Sequence, residues 1–207
     1  MHLGLLILLA FPALARAGMT HEYYSRGRSP YGSNMYLSQQ AHYARTSVLA
    51  TPGADHRDAG APATPHEFRG YSLQTAVGFE HFRFLQTGLT YANAHADSVS
   101  GGRDAFAGHE FGAEARIVLT SPVANVGLGG GAYVTKKDLA RGLEKYALQG
   151  QGYKAGLEFT YFCSPRVSLV ASASQHVETL SDRSRGTAVG KAQAQSTRLG
   201  GGIAIWL

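Results

Sequence analysis

From residue 67 onward, apolar residues recur at every second position, and the positions between them are small or polar but seldom charged. Period two is the pitch of a β-strand, whose successive side chains point to opposite faces. In GYSLQTAVGFE, Tyr71, Leu73, Val77 and Phe79 alternate with Ser72, Gln74, Ala76 and Gly78. The same alternation runs through FLQTGLTYANA, HEFGAEARIVL, NVGLGGGAYV, QGYKAGLEFTYF and VSLVASASQH, and ends in RLGGGIAIWL. These seven strands need an upstream partner, and NMYLSQQAHYARTSVLA (34–50) supplies it. There Met35, Leu37, Ala41 and Tyr43 oppose Tyr36, Ser38, Gln40 and His42.

The second face decides what the first one touches. A half-buried soluble sheet carries Lys, Glu and Asp on its outer face. Here charged residues make up only 16 % of the chain, and the second face is mostly Gly, Ser, Thr, Gln and Ala. Small polar residues suit the interior of a narrow barrel. The apolar face then meets lipid, where only closed barrels leave no backbone group unpaired. A soluble calycin-like barrel is the competing reading, and it requires a charged outer face.

The breaks between strands carry a second signal. HFR, TSP and CSPR are short, whereas TPGADHRDAGAPATPH, ADSVSGGRDA, TKKDLARGLEKY and ETLSDRSRGTAVG read as long polar loops. Short and long breaks alternate, as in outer-membrane barrels with short periplasmic turns and longer extracellular loops. The expected fold is an all-β, eight-stranded, antiparallel up-and-down transmembrane barrel with both ends on the short-turn side.

The N-terminus reads as a secretory signal. An apolar core from Leu3 to about Ala13 precedes Ala15-Arg16-Ala17, a small-x-small cleavage pattern. The expected organisation is a signal peptide at 1–17, a periplasmic lead-in at 18–33 and the barrel at 34–207. Cys163 is the only cysteine, which excludes an intrachain disulfide, and it reads as a small semi-buried residue. The net charge of +5 is scattered, so no nucleic-acid partner is expected.

The lumen face also carries Glu80, Glu114, Arg116, Lys154, Glu158 and Arg198, three acids and three bases. Buried charges persist when paired. An internal ion-pair network that closes the lumen is therefore expected, with a narrow pore for small solutes as the alternative. Tyr161, Phe162 and Trp206 at one end, with Tyr23 and Tyr24, and Tyr91 and Tyr133 at the other, are candidates for interfacial aromatic girdles.

With its eight alternating strands, turn asymmetry and closing LGGGIAIWL, the chain resembles the small bacterial outer-membrane barrels of the OmpA/OmpX and opacity-protein type over residues 34–207. The resemblance implies a bacterial outer-membrane location with both termini periplasmic. It implies outer-membrane lipid and lipopolysaccharide as surroundings, and a final strand (Leu199, Ile203, Ile205, Trp206, Leu207) read by the barrel-assembly machinery. The family's last residue is usually aromatic; here Trp206 is penultimate. A structural or interaction role follows, through surface loops or a periplasmic or surface protein partner.

Some barrels of this size modify lipid A. Ser174, His176 and Glu178 share a strand face and form the alternative catalytic set. In the lipid A deacylase barrels, however, the nucleophile follows the histidine by two positions, where this chain has Glu178. The histidines show no metal-ligand spacing. The GLGGG and LGGG runs lie within strands, not before a helix as nucleotide loops do. No metal and no cofactor are expected.

Overall fold

The computed structural model describes residues 34–51, 65–81, 84–100, 104–121, 123–141, 144–164, 166–182 and 191–207. The signal and lead-in expected at 1–33, with Tyr23 and Tyr24, lie outside them. Eight strands follow one another: β1 (Asn34–Thr51), β2 (His66–His81), β3 (Leu85–Ser98), β4 (Ala105–Thr120), β5 (Ala124–Arg141), β6 (Glu144–Phe162), β7 (Val167–Asp182) and β8 (Lys191–Trp206). Each pairs antiparallel with its neighbours in sequence, and β8 returns to β1, with Tyr36 opposite Trp206, to close the barrel. Closure leaves no free sheet edge.

The side-chain alternation falls as expected through the lower part of the wall. Leu37, Leu73, Val77, Leu89, Ile117, Leu128, Leu157, Leu169, Ile203 and Ile205 all face outward and are exposed. Ser38, Gln40, His42, Gln74, Gln86 and Thr90 face inward and are buried. This is the reverse of a soluble barrel and matches a wall solvated by lipid.

The strands, 14 to 19 residues long, outrun the lipid-matched stretch. On β8 the outward apolar run from Leu199 to Leu207 covers about 26 Å of strand, or about 20 Å of height at a tilt of about 40°. Above it the polarity inverts. Outward positions become Arg45, Glu67, Asp97, Lys136, Asp138, Gln193 and Gln195. Inward positions become Val48, Phe68, Ala96, Phe106, Leu139, Leu148, Leu180, Ala192 and Ala194, one buried apolar cluster. Above its membrane band the barrel is therefore built like a soluble one, a polar collar around an apolar plug.

This inversion corrects the reading of TKKDLARGLEKY as a long loop. β5 and β6 continue through it and leave only residues 142–143 between them. Its polar residues mark a strand leaving lipid, and the alternation of short and long breaks does not hold at this hairpin. Cys163, read as semi-buried, is exposed, at the turn between β6 and β7.

Two of the proposed girdle aromatics at the short-turn end point inward. Trp206 is 4 % exposed and packs on Tyr36 (ring centroids 5.2 Å apart) and Phe162 (5.6 Å). Its indole N–H donates to Ser168 Oγ at 3.0 Å. These rings cap the lumen from below. Tyr133 also turns inward and is buried, whereas Tyr91 is exposed and joins Tyr43, Tyr71 and Tyr153 on the outside. Each of these four lies where the apolar band meets the collar, the usual place of an interfacial aromatic.

Candidate functional site

Between the apolar plug and the aromatic cap, the lumen is filled by two ion clusters. In the lower one Arg116 donates to both Glu114 and Glu158, and Lys154 Nζ lies 2.6 Å from Glu114 Oε2. Gln40 Nε2 donates to Glu158 Oε2 at 2.9 Å. Four of the six expected lumen charges therefore meet here, supplied by β4 and β6. Cross-strand glycines make room: a Cβ at Gly129 would meet the Arg116 stem.

The upper cluster contains Arg198 from the expected set, with three groups not counted in it. Arg198 holds Glu110 through two hydrogen bonds, Nη1 to Oε2 at 2.8 Å and Nη2 to Oε1 at 2.5 Å. Such fork-to-fork pairing fixes geometry as well as charge. Lys137 Nζ lies 2.9 Å from Glu110 Oε1 and 2.7 Å from Glu178 Oε2, and 5.0 Å from the centre of the Phe106 ring above it. Each cluster holds two acids and two bases, so each is neutral by itself. Glu80, nearer the short-turn end of β2, lies outside both and accepts from Gln86 Nε2 at 3.1 Å.

Of the three groups not counted in the expected set, Glu178 was read only as part of the alternative catalytic set, and the other two had signals in the sequence. Glu110 shares the parity of Glu114 and Arg116, one step beyond where the apolar alternation becomes clear. Lys137 shares the parity of Tyr133 but lies in the stretch read as loop.

Ser174 and His176 line the lumen on the same face of β7 as Glu178 of the upper cluster. Ser174 Oγ lies 3.0 Å from His176 Nε2, and His176 Nδ1 lies 3.2 Å from Tyr133 Oη. The Tyr133 hydroxyl donates to Glu178 Oε1 at 3.0 Å. A serine therefore touches a histidine, but the acid orients Tyr133 and not the imidazole, unlike a hydrolase triad. The cavity beside Ser174 measures about 50 Å³, room for a water molecule or two. His176 and Glu178 are fully enclosed. Ser174 is half-buried beside them. The contacts form a chain of hydrogen bonds from Ser174 on β7 through His176 and Tyr133 to Glu178 of the upper cluster. A second such chain, His42 Nε2 to Ser172 Oγ (3.0 Å) and Ser172 to Gln40 Oε1 (2.8 Å), ties β1 to β7.

No protein-family model matches the sequence, and no curated protein matches it either. Solved structures do. Neisserial surface protein A superimposes with a TM-score of 0.58 at 15 % identity, covering 84 % of this chain and 98 % of that one. The chain has the fold of the small eight-stranded outer-membrane β-barrels. Two further members agree. The outer-membrane protein AlkL matches with a TM-score of 0.53 at 11 % identity, over 91 % of this chain and 97 % of that one. OprG from Pseudomonas aeruginosa matches with a TM-score of 0.51 at 12 % identity, over 84 % and 96 %. At such identities the likeness extends to the barrel fold and not to ligands.

Proposed function

We propose that this chain is an integral outer-membrane barrel with a closed lumen, acting as a rigid membrane-seated support for an interaction surface rather than as a channel or an enzyme. One observation carries the reading. The lumen is occupied from end to end by the Trp206–Tyr36–Phe162 cap, two neutral ion clusters and the Val48–Phe68–Phe106–Leu139–Leu180 plug. A conducting path through charges needs continuous water around them, and the cavity beside the lower cluster has room for only a water molecule or two.

The collar is the second half of the reading. It holds a protein surface clear of the lipid, braced by outward contacts such as Arg45 with Glu67 at 2.8 Å. A surface-exposed partner would meet it there. Under the same reading both termini lie in the periplasm, lipopolysaccharide surrounds the upper band, and the final strand through Trp206 and Leu207 is what the assembly machinery reads. Purified protein in lipid vesicles should leave them impermeable to small sugars and amino acids in a swelling assay. Rapid swelling would replace this reading with that of a narrow pore.

A further inference from the structure

The geometry points to a lipid-binding groove on the outer wall over β4, β5 and β6, one that takes a phosphate-bearing lipid with its acyl chain down and its phosphate up. The groove measures about 440 Å³ and straddles the boundary between the apolar band and the collar. Phe111 and Val134 form its exposed apolar floor. One register step higher, His109, Lys136 and Gln149 lie side by side on the three strands. The wall thus runs from apolar to cationic in the order in which a lipid runs from chain to headgroup.

Two features make the upper row a receptor and not merely a polar surface. The Tyr91 ring stacks on His109 at 18°, and its hydroxyl lies 2.8 Å from Nδ1. That contact fixes the imidazole and leaves Nε2 for a ligand. The row is also unneutralised. On β1 to β3, Arg45 pairs with Glu67 at 2.8 Å and His95 with Asp97 at 3.4 Å. Lys136 has no carboxylate within 4.0 Å among the described residues. Glu110 lies under the groove, but its carboxylate is engaged inside the barrel by Arg198 and Lys137. A phosphate at this height would be the missing counter-charge for Lys136, with charge-assisted hydrogen bonds from Lys136 and His109.

The test uses the full chain folded in detergent micelles and native mass spectrometry. Diphosphoryl lipid A and the same glycolipid stripped of its phosphates are offered in competition. The wild-type protein should retain the phosphorylated lipid about tenfold better. The Lys136→Gln/His109→Gln double variant should lose most of that preference, while Arg45→Gln, on the opposite wall, should keep it. Lys136→Gln alone, a change at an exposed side chain, gives the same reading should the double variant fail to fold. Equal retention of the two lipids by wild type would overturn the site. So would a preference that survives in Lys136→Gln, or one that Arg45→Gln lowers equally. The site does not depend on whether the lumen conducts, so its failure and that of the closed-lumen reading are separately visible.

Discussion

The Lys137 ammonium bridges two buried carboxylates, 2.9 Å from Glu110 and 2.7 Å from Glu178. It comes from the part of β5 that leaves the membrane band. Lys137→Met would leave both acids to Arg198, which reaches Glu178 only at 3.9 Å. Removing one partner of a buried ion pair costs about 3–5 kcal/mol. The urea midpoint in lipid vesicles should fall accordingly, followed by the fluorescence of the single tryptophan. Adding Glu178→Gln should recover part of the loss, because it removes the stranded charge. An unchanged midpoint in Lys137→Met would show that the cluster does not hold the barrel together.

Gly152 faces the lumen directly beside the Tyr133 ring, which a Cβ there would strike. Gly152→Ala should therefore destabilise the barrel by about 1–3 kcal/mol, the usual cost of overpacking. The same change in a Tyr133→Ala background should cost far less. If the two costs simply add, the residues are not coupled as the packing requires.

Cys163 is the only cysteine and is exposed, on the turn that shares an end with the start of β1 and with Leu207. In intact cells a membrane-impermeant maleimide should leave it unlabelled, and permeabilising the outer membrane should expose it. Full labelling of intact cells would place this end outside and reverse the proposed orientation.

The Ser174–His176 contact can be examined directly for chemistry. Lipid A from cells overproducing the wild-type protein and the Ser174→Ala variant should have identical mass spectra. Loss of an acyl chain with wild type alone would restore the enzymatic reading that the 50 Å³ cavity and the Tyr133–Glu178 pairing argue against.

How much of this was legible in the sequence depends on which stretch of strand is considered. Where strands lie in the lipid band, parity alone located both faces, and Glu114, Arg116, Lys154 and Glu158 fell on the lumen side together. Which of them pair could not be read, because pairing is set by register between β4 and β6, two strands apart. Above the band the rule inverts. Lys137 and Leu139 continue the inward parity of Tyr133, while Lys136 and Asp138 turn outward. A reading tuned to apolar-outside sees only a charged loop there. Leu139 on the lumen parity, next to Asp138 on the other, was the available clue to an apolar plug. Trp206 teaches the same lesson at the other end. Its parity placed it inside with Arg198, and the cap it forms with Tyr36 and Phe162 follows parity rather than the habit of putting terminal aromatics at the interface.

The central claim is that the lumen is closed, and single-channel recording in planar bilayers with molar potassium chloride tests it most directly. The wild-type barrel should insert without resolved conductance steps. A variant that hollows both clusters (Lys137→Ala, Glu178→Ala, Arg116→Ala, Glu158→Ala), confirmed as folded by heat-modifiable mobility, should conduct. Steady, uniform steps from the wild-type protein would contradict the account.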